Sequence, residues 1–339
     1  MKKRSVTSRD VAALAGVSQS AVSRCFSPRA SISDGTREKV LAAAKTLGYR
    51  PNSIARSLIT QSSRTIAVVM SQLDNPFYAQ MLDRASRLFQ VKGYHLLLFM
   101  VSGDGESEGV MGEILQSQVD GILMLSASLS SSFAQECVER SIPVVMINRT
   151  VGSDGVSQVA SDNYHGGYWV GSFLAAAGHE RCAFVSGLPS ASTNVHRRRG
   201  FLDALAAYGL ACWAEERGDY QADMARQATH RLCGGDSRPD AIFAANDHMA
   251  IAVIETLRTD LSLRVPQDVS VVGFDDIPLA ALPSYRLTTV RQPLEEMVVK
   301  AAEQLLWQIA EGRIVAVNQT LPIVPILRES ARCPRDVHT

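Results

Sequence analysis

The sequence predicts an α + α/β protein, in which a helix-turn-helix headpiece precedes a two-lobed α/β body built on two doubly wound parallel sheets. Three observations predict this architecture. Two short helical segments joined by a glycine occupy residues 10–25, apolar runs alternate with helical segments from residue 64 onward, and the chain of 339 residues is 46% hydrophobic. A chain of this length can form a small headpiece and two further units, each with a buried core.

The first predicted helix has a complete start signal. Thr7 is its N-cap, and Asp10 three residues later supplies the carboxylate of a capping box. Gly16 ends the helix, because an immediate turn requires a residue that adopts a left-handed backbone at low cost. Ser18 then caps the second helix. The residues predicted to pack between the two helices are Val11, Leu14, Ala15, Val17 and Val22.

The outer face of the second helix carries side chains that suit DNA recognition. Glutamine, serine and arginine side chains reach base edges and phosphates in a major groove. The alternative interpretation is a small helical hairpin of a globular domain. A third predicted helix over 33–48, with Val40, Leu41, Ala44 and Leu47 facing inward, favours the first interpretation because it completes a three-helix core. The outward residues of the second helix are Gln19, Ser20, Ser23 and Arg24.

The charge of the chain is segregated. Residues 1–60 hold 11 lysines and arginines against 3 aspartates and glutamates, which gives +8. The whole chain has 34 residues of each sign, so the remainder carries −8. A basic headpiece on an acidic body is typical of a protein that binds nucleic acid through the headpiece.

These residues resemble the headpiece and hinge of the lactose-repressor-like (LacI/GalR) family of bacterial transcriptional regulators. The similarity is carried by residues 6–18, 36–44, 47–52 and 55–58, and it continues to about residue 329. It implies a homodimeric, ligand-controlled regulator, usually a repressor, that binds a pseudo-palindromic double-stranded operator and has a periplasmic-binding-protein-like body. The DNA-binding residues predicted on this basis are Thr7, Ser18, Gln19, Ser20, Ser23, Arg24, Tyr49, Asn52, Ala55, Arg56 and Leu58.

Residues 52–58 are predicted to form a hinge helix. Seven residues are too few for a stable isolated helix, which needs roughly 12 to 15 residues in water, so we expect this segment to fold only against a second copy and DNA. The family resemblance implies that Leu58 wedges between base pairs in the minor groove, where unstacking permits a kinked duplex with more protein contacts. The alternative is that Leu58 is the last apolar residue before the polar linker 60–63.

The apolar runs beyond residue 64 predict parallel strands buried on both faces. Their two series predict two lobes with a cleft between them. We expect domains at 1–60 and 61–339, with one lobe at about 64–162 plus 291–323 and the other at about 163–290 plus 324–339. The runs are 65–70, 94–99, 121–125 and 143–147 in the first series, and 182–185, 241–245 and 269–274 in the second.

The loops that follow these runs predict a binding site for a carbohydrate-like effector. Ligands of open parallel sheets lie beyond the carboxyl ends of the strands. Carboxylates, amides and a guanidinium bind hydroxyl groups, and aromatic rings stack on sugar C–H faces. For Asp247 and Asp276 an alternative is that they cap the next helix, and residues 222–227 depart from the family, which often has a glycine there. Asn148 is predicted from its position after the fourth run, and the family resemblance implies that the effector cleft is lined by Phe77, Tyr78, Asp162, Arg197, Tyr220, Asn246 and Asp275.

No catalytic residue, cofactor or metal site is predicted. Residues 105–109 fit the pattern G-x-S-x-G, but a loose polar segment separates them from the preceding strand, and two glutamates flank Ser107, which disfavours a nucleophile elbow. The histidines lack metal-binding spacing, and we expect His95 in a core strand and His179 beside a turn. The alternative functions are a periplasmic-type sugar-binding protein and an enzyme with an appended DNA-binding module.

Compartment and oligomeric state follow from three further observations. The six cysteines form no C-x-x-C pair, which predicts reduced thiols. The chain has no run of 18 apolar residues and no apolar signal region near its start, so we expect a cytoplasmic, nucleoid-associated protein. Residues 328–339 contain no apolar heptad, which favours a dimer formed through the lobes over a coiled-coil tetramer.

Overall fold

The structure is a computed structural model that describes residues 6–26, 31–50, 62–71, 73–101, 107–126, 131–152, 155–235 and 237–334. The chain divides into two compact units, Met1–Ser63 and Arg64–Thr339. No helix within these described ranges is both long and apolar enough to cross a membrane.

The first unit is helical and the second alternates strands with helices. The helices are α1 (Ser8–Ala15), α2 (Gln19–Cys25), α3 (Asp34–Leu47), α4 (Pro76–Val91), α5 (Ser107–Gln116), α6 (Ser131–Glu139), α7 (Asn163–Ala176), α8 (Ser192–Ala207), α9 (Ala222–Cys233), α10 (Asp247–Glu255) and α11 (Leu294–Glu311). The strands are β1 (Thr65–Met70), β2 (His95–Met100), β3 (Gly121–Met124), β4 (Val144–Ile147), β5 (Ser157–Ser161), β6 (Cys182–Ser186), β7 (Ala214–Arg217), β8 (Ala241–Ala244), β9 (Ser270–Val272), β10 (Thr289–Arg291), β11 (Asn318–Leu321) and β12 (Val324–Ile326).

The headpiece begins at the predicted capping box. The Thr7 backbone N–H donates to Asp10 Oδ2 at 2.8 Å, and the Asp10 N–H donates to Thr7 Oγ1 at 3.4 Å. Gly16 has φ 65°, in the left-handed region that its turn requires. Leu14 and Leu41 are 54% and 47% exposed, so their predicted place in the core is wrong. A core this small covers only a narrow stripe of each helix, and both leucines lie off that stripe.

The first lobe of the body is built on a six-stranded parallel sheet in the order β11-β5-β4-β3-β1-β2. Its central strands are buried, as their continuous apolar runs predict. The edge strand β2 is different, because Leu97, Leu98 and Met100 are 39%, 40% and 43% exposed. The predictions that this run is buried on both faces and that His95 lies in a core strand are wrong. An edge strand has a neighbour on one side only.

The second lobe contains a four-stranded parallel sheet in the order β7-β6-β8-β9 and the antiparallel pair β10 and β12. Its core includes Phe184, Phe201 and Phe243, with ring centroids 5.2 to 5.8 Å apart. Strand β7 has the sequence Ala-Glu-Glu-Arg, so no apolar run predicts it. It is an edge strand whose residues are half-buried and exposed in alternation.

Two glycines allow α7 and α8 to pack with their backbones in contact. A Cβ built on Gly167 would lie 2.0 Å from the carbonyl oxygen of Arg197, and one built on Gly200 would lie 2.0 Å from the carbonyl oxygen of Tyr164. Any larger residue would force the helices apart. This close approach brings Arg197, on α8, beside the amino-terminal end of α7.

Candidate functional site

The exposed face of α2 in the headpiece carries the residues predicted to read DNA. Ser18 caps the helix by accepting from the Ala21 N–H at 3.2 Å. Gln19 Nε2 donates to Ser8 Oγ at 3.0 Å, and Arg24 Nε donates to the Ser20 carbonyl oxygen at 3.4 Å. The first contact ties Gln19 to α1, and the second holds Arg24 along α2. Gln19, Ser20, Ser23 and Arg24 are all exposed, so their functional groups can be reached from solvent.

The other predicted DNA contacts are Thr7 and Tyr49, which the structure describes, and the residues of the hinge, which it does not. Thr7 is the N-cap of α1 and its hydroxyl hydrogen-bonds to Asp10 Oδ2 at 2.8 Å. Tyr49 is half-buried, with its ring centroid 5.9 Å from that of Phe26. The predicted hinge residues Asn52, Ala55, Arg56 and Leu58 lie outside the described residues.

The first lobe contributes three predicted effector residues to the carboxyl ends of its strands. Asn75 caps α4 by accepting from the Phe77 N–H at 3.0 Å, which places Phe77 and Tyr78 in the first turn of that helix. Asn148 follows β4, and its Nδ2 donates to the Tyr78 hydroxyl at 2.9 Å. Asn148 Oδ1 is buried and has no hydrogen-bond partner among the described residues, so an acceptor is available in the cleft.

Arg197 is the largest fully buried side chain of the second lobe, with 2% of its surface exposed. Its Nε donates to Asn163 Oδ1 at 2.8 Å and its Nη1 to the Ala245 carbonyl oxygen at 2.6 Å. The guanidinium carbon lies 3.6 Å from the centre of the Phe274 ring. Nη2 makes no hydrogen bond to any described residue and lies 3.6 Å from Asp275 Oδ1. A donor is therefore available beside the carboxylate.

Asp275 connects Arg197 through Gln292, which follows β10, to the end of β5. It is buried, and its Oδ1 accepts from Gln292 Nε2 at 2.6 Å. Gln292 Oε1 in turn accepts from the hydroxyl of Ser161, the last residue of β5. A cavity of about 410 Å³ adjoins this chain and is lined by Asp275 and Gln292 together with Phe77 of the first lobe. Phe77 of the first lobe and Asp275 of the second thus line one cavity.

Three of the predicted effector residues have strained backbones. Asn148, Tyr220 and Asp275 have φ values of 74°, 62° and 121°, a region that residues with side chains adopt at a cost. The Tyr220 hydroxyl lies 2.8 Å from Thr193 Oγ1, and burial raises the pKa of this phenol. Strained residues persist where the surrounding structure fixes them, and they cluster at functional sites.

Two predicted effector residues use their side chains as helix caps. Asp162 Oδ1 accepts from the His165 N–H at 3.0 Å, and Asn246 Oδ1 accepts from the Met249 N–H at 3.0 Å. The alternative that Asp247 and Asp276 are helix caps is wrong. Asp247 accepts from the Ile277 N–H at 2.9 Å and from Thr289, and Asp276 pairs with Arg291 and Arg328, both at 2.7 Å.

Four residues outside the predicted effector set hold or adjoin its members. Asn163, Thr193 and Gln292 orient Arg197, Tyr220 and Asp275 through the hydrogen bonds given above, and Arg149 is buried beside Asn148. Asn163 and Arg149 could have been found from their position in the sequence, because each directly follows a predicted site residue. Among the described residues, no three histidine, cysteine, aspartate or glutamate side chains are placed to hold a metal ion.

The headpiece and the body together define a class of protein, a DNA-binding regulator with a two-lobed ligand-binding body. Residues 7–52 match the family model for bacterial regulatory proteins of the lacI family, and residues 172–331 match that for a periplasmic binding protein-like domain. The chain belongs to the lacI family of bacterial transcriptional regulators. The resemblance on which sequence analysis relied is therefore confirmed, as is the predicted fold class.

Full-length relatives support this assignment. The chain is 33% identical over 329 residues to the ribose operon repressor of Escherichia coli K12, which covers 95% of this chain and 98% of that protein. It is 31% identical over 328 residues to the transcriptional repressor PurR of Erwinia tasmaniensis, covering 95% of each chain. A crystal structure of the Lac repressor dimer bound to operator aligns with a TM-score of 0.85 and 28% identity over 96% of this chain and 99% of that one.

The buried carboxyl of Asp275 predicts a pH dependence of stability. Burial raises its pKa from 3.8 to about 6, although Arg197 and the Gln292 hydrogen bond lower it. A carboxyl with a higher pKa in the folded state contributes stability that is complete below about pH 4 and is lost as the pH rises through about 6. Relative to the Asp275→Asn variant, the wild type should lose on the order of 3 kcal/mol of unfolding free energy over this interval.

The measurement is urea unfolding of the ligand-free wild type and Asp275→Asn proteins at steps between about pH 4 and 7. Asp203→Asn is the control, because Asp203 lies on the exposed face of α8, where it pairs with Arg199 at 3.7 Å. A wild type and Asp275→Asn difference that stays constant over this pH range would contradict the assignment.

Proposed function

We propose that this protein is a repressor whose affinity for operator DNA is controlled by a small carbohydrate-like effector bound in the cleft between the lobes. One observation carries the proposal. Arg197 Nη2 and Asn148 Oδ1, both buried, have no hydrogen-bond partner among the described residues, and they lie in the cleft with the Asp275 carboxylate. Unpartnered buried polar atoms are costly, and a ligand would satisfy them.

The chemistry of these groups fits a polyol. A sugar hydroxyl donates one hydrogen bond and accepts others, so it can accept from Arg197 while donating to Asp275 or Asn148. Phe77, Tyr78 and Tyr220 supply aromatic surface for C–H groups. Two relatives agree with this class. One relative is a ribose operon repressor, and the transcriptional regulator CelR in complex with cellobiose is 32% identical, with a TM-score of 0.72, over 96% of this chain.

The contacts between the lobes supply a route from the effector to the DNA. The Thr150 N–H of the first lobe donates to Ser192 Oγ of the second at 2.8 Å, and His248 Nε2 lies 3.9 Å from Asp74 Oδ2 across the cleft. A ligand that binds both lobes changes their relative orientation. A coupling of about 1 to 3 kcal/mol, typical of allostery, changes operator affinity roughly 5- to 150-fold.

We propose no enzymatic activity and no catalytic residue. Hydrogen bonds orient several polar groups of the cleft toward one another, and the relatives named above are repressors. Cys137 and Cys182 are buried, and burial raises the pKa of each thiol to about 12, which disfavours the reactive thiolate. Since a repressor acts on chromosomal DNA, we place this protein in the cytoplasm with the nucleoid.

The exposed edge strand β2 supports dimer formation through the first lobe. Leu97, Leu98 and Met100 present apolar surface along this strand, and an edge strand also offers backbone groups for pairing. A second copy of the chain would cover both. A dimer would bring two recognition helices to the two halves of a pseudo-palindromic site.

Leu98→Glu should convert the dimer to a monomer and lower operator affinity, because it places a charge in the proposed interface. The measurement is sedimentation equilibrium, combined with operator titration. Val138→Glu is a matched control, since Val138 lies on α6 of the same lobe and is 39% exposed against 40% for Leu98. A Leu98→Glu protein that stays dimeric, or a monomeric Val138→Glu protein, would contradict this placement of the interface.

Arg24→Ala should relax base preference at one position of each half-site, at a cost of about 1 to 3 kcal/mol. The test is selection from randomised duplexes, followed by affinity measurements on single-base variants of the selected site. Lys39→Ala is the control, because Lys39 is exposed on α3 and is not among the outward residues of α2, and it should leave base preference unchanged. Unaltered preference in Arg24→Ala would remove this residue from base readout.

The proposed function is tested by a thermal-shift screen of the full-length protein with sugars, sugar acids and nucleosides. At least one of these compounds should raise the melting temperature and change operator affinity. Asp275→Asn should bind operator with unchanged affinity and lose the response, whereas Asp203→Asn should keep it. A normal response from Asp275→Asn would remove Asp275 from the effector site, and the absence of any binder would reject the effector class.

A further inference from the structure

We propose that Gly187 is a positioning residue of the effector site, and that its lack of a side chain lets the Tyr220 ring lie against the backbone at the end of β6. This inference rests on the proposed effector cleft and adds to it the residue that sets the place of an aromatic side chain. It is based on the contact between these two residues and on the hydrogen bonds that hold each of them.

Gly187 directly follows β6 and lies against the phenol end of Tyr220. A Cβ built on Gly187 would lie 2.2 Å from Cζ of the Tyr220 ring, 2.5 Å from Cε2 and 2.6 Å from Cε1. Carbon atoms in favourable contact are about 3.5 to 4.0 Å apart. Even the smallest side chain at position 187 would therefore overlap the ring, and the ring would have to move.

The turn that precedes Tyr220 ties its backbone to β6. The N–H groups of Gly218 and Asp219 both donate to the carbonyl oxygen of Ser186, at 2.8 and 3.1 Å. Asp219 and Tyr220 have φ values of 49° and 62°, so both residues of this turn are in the left-handed region. Ser186 is the last residue of β6 and the neighbour of Gly187. The turn and the glycine are thus fixed to the same end of the same strand.

Two consecutive residues of α8 hold the glycine and the ring. The Gly187 N–H donates to Asn194 Oδ1 at 2.7 Å, and Thr193 Oγ1 lies 2.8 Å from the Tyr220 hydroxyl. Asn194 and Thr193 are both buried. A ring displaced by a methyl group at position 187 would lose its bond to Thr193, and a buried hydroxyl group without a partner is costly.

The first turns of α8 connect this ring to the rest of the proposed site. Thr193 and Arg197 are four residues apart in the helix and so lie on one face. Ser192 accepts the hydrogen bond from the Thr150 N–H of the first lobe at 2.8 Å. Burial raises the pKa of Tyr220, and the positive charge of Arg197 is the largest influence that opposes the increase. A ring fixed beside Arg197 in advance spares ligand binding the entropy cost of ordering it.

Thermal unfolding of the full-length protein tests whether the two residues are coupled. Gly187→Ala should lower the melting temperature by at least about 2 °C, because the methyl group overpacks a buried contact. In Tyr220→Phe, which retains Cζ and both Cε atoms, the same penalty should remain. In Tyr220→Leu, whose side chain ends before these atoms, it should disappear. Gly235→Ala is the control, since Gly235 lies in the same lobe and a Cβ there would meet no atom within 4 Å.

Isothermal titration with D-ribose, D-glucose and cellobiose separates a positioning role from a purely structural one. For each sugar that binds the wild type, Gly187→Ala should weaken binding about tenfold or more, and Gly235→Ala should leave it unchanged. Tyr220→Leu should also weaken binding. Gly187→Ala should have no further effect in that background, because the glycine acts through the ring, whereas a purely structural role predicts additive losses.

Two results would overturn the inference in distinguishable ways. If Gly187→Ala leaves sugar affinity unchanged, or if its effects persist in Tyr220→Leu, Gly187 does not position the ring for the effector, while the carbohydrate effector stands. If none of the three sugars binds to the wild type, the proposed effector class is contradicted, and the positioning role fails with it even where the melting temperatures show the coupling.

Discussion

The arrangement of the predicted effector residues in the second lobe depends on the buried guanidinium of Arg197. A charge removed from water costs several kcal/mol unless it is paired and hydrogen-bonded. Here the Phe274 ring, the Asn163 amide, the Ala245 carbonyl and the Asp275 carboxylate surround it. These partners come from α7 and from the loops after β8 and β9. The requirement to satisfy one cation therefore brings three separate parts of the lobe to one edge of the sheet.

This arrangement in turn requires close helix packing and local strain. Arg197 reaches Asn163 because Gly167 and Gly200 let α7 and α8 approach at backbone distance. Asn148, Tyr220 and Asp275 adopt positive φ values, and hydrogen bonds with Tyr78, Thr193 and Gln292 hold their side chains before any ligand arrives. A preorganised site loses less conformational entropy on binding, and the cost is carried by the folding of the lobe. The partners that Arg197 Nη2 and Asn148 Oδ1 lack mark where the ligand would complete the network.

Local signals in the sequence were enough for much of the fold. The Thr7 and Asp10 capping box and the Gly16 turn depend on neighbours a few residues away, and apolar runs such as 65–70 and 182–185 correspond to the buried strands β1 and β6. Edge strands could not be found in this way. β2 is apolar yet exposed, and β7 is polar yet pairs with β6, because position in the sheet is decided by distant contacts.

The candidate site shows the same division. The ends of the predicted strands indicated that Asn148 and Asp275 would lie at the cleft, since parallel strands bring their carboxyl ends to one edge of the sheet. Gln292 could not be predicted, because its role depends on hydrogen bonds to Asp275, which lies 17 positions away in the sequence, and to Ser161, which lies 131 positions away.

The central claim is that occupancy of this cleft and operator binding are coupled, and the reciprocity of that coupling is the most direct test. The dissociation constant of the effector is measured with and without operator, and that of the operator with and without saturating effector. Our account predicts that both ratios are equal and lie between about 5 and 150. An effector that binds the cleft while operator affinity stays unchanged would contradict it.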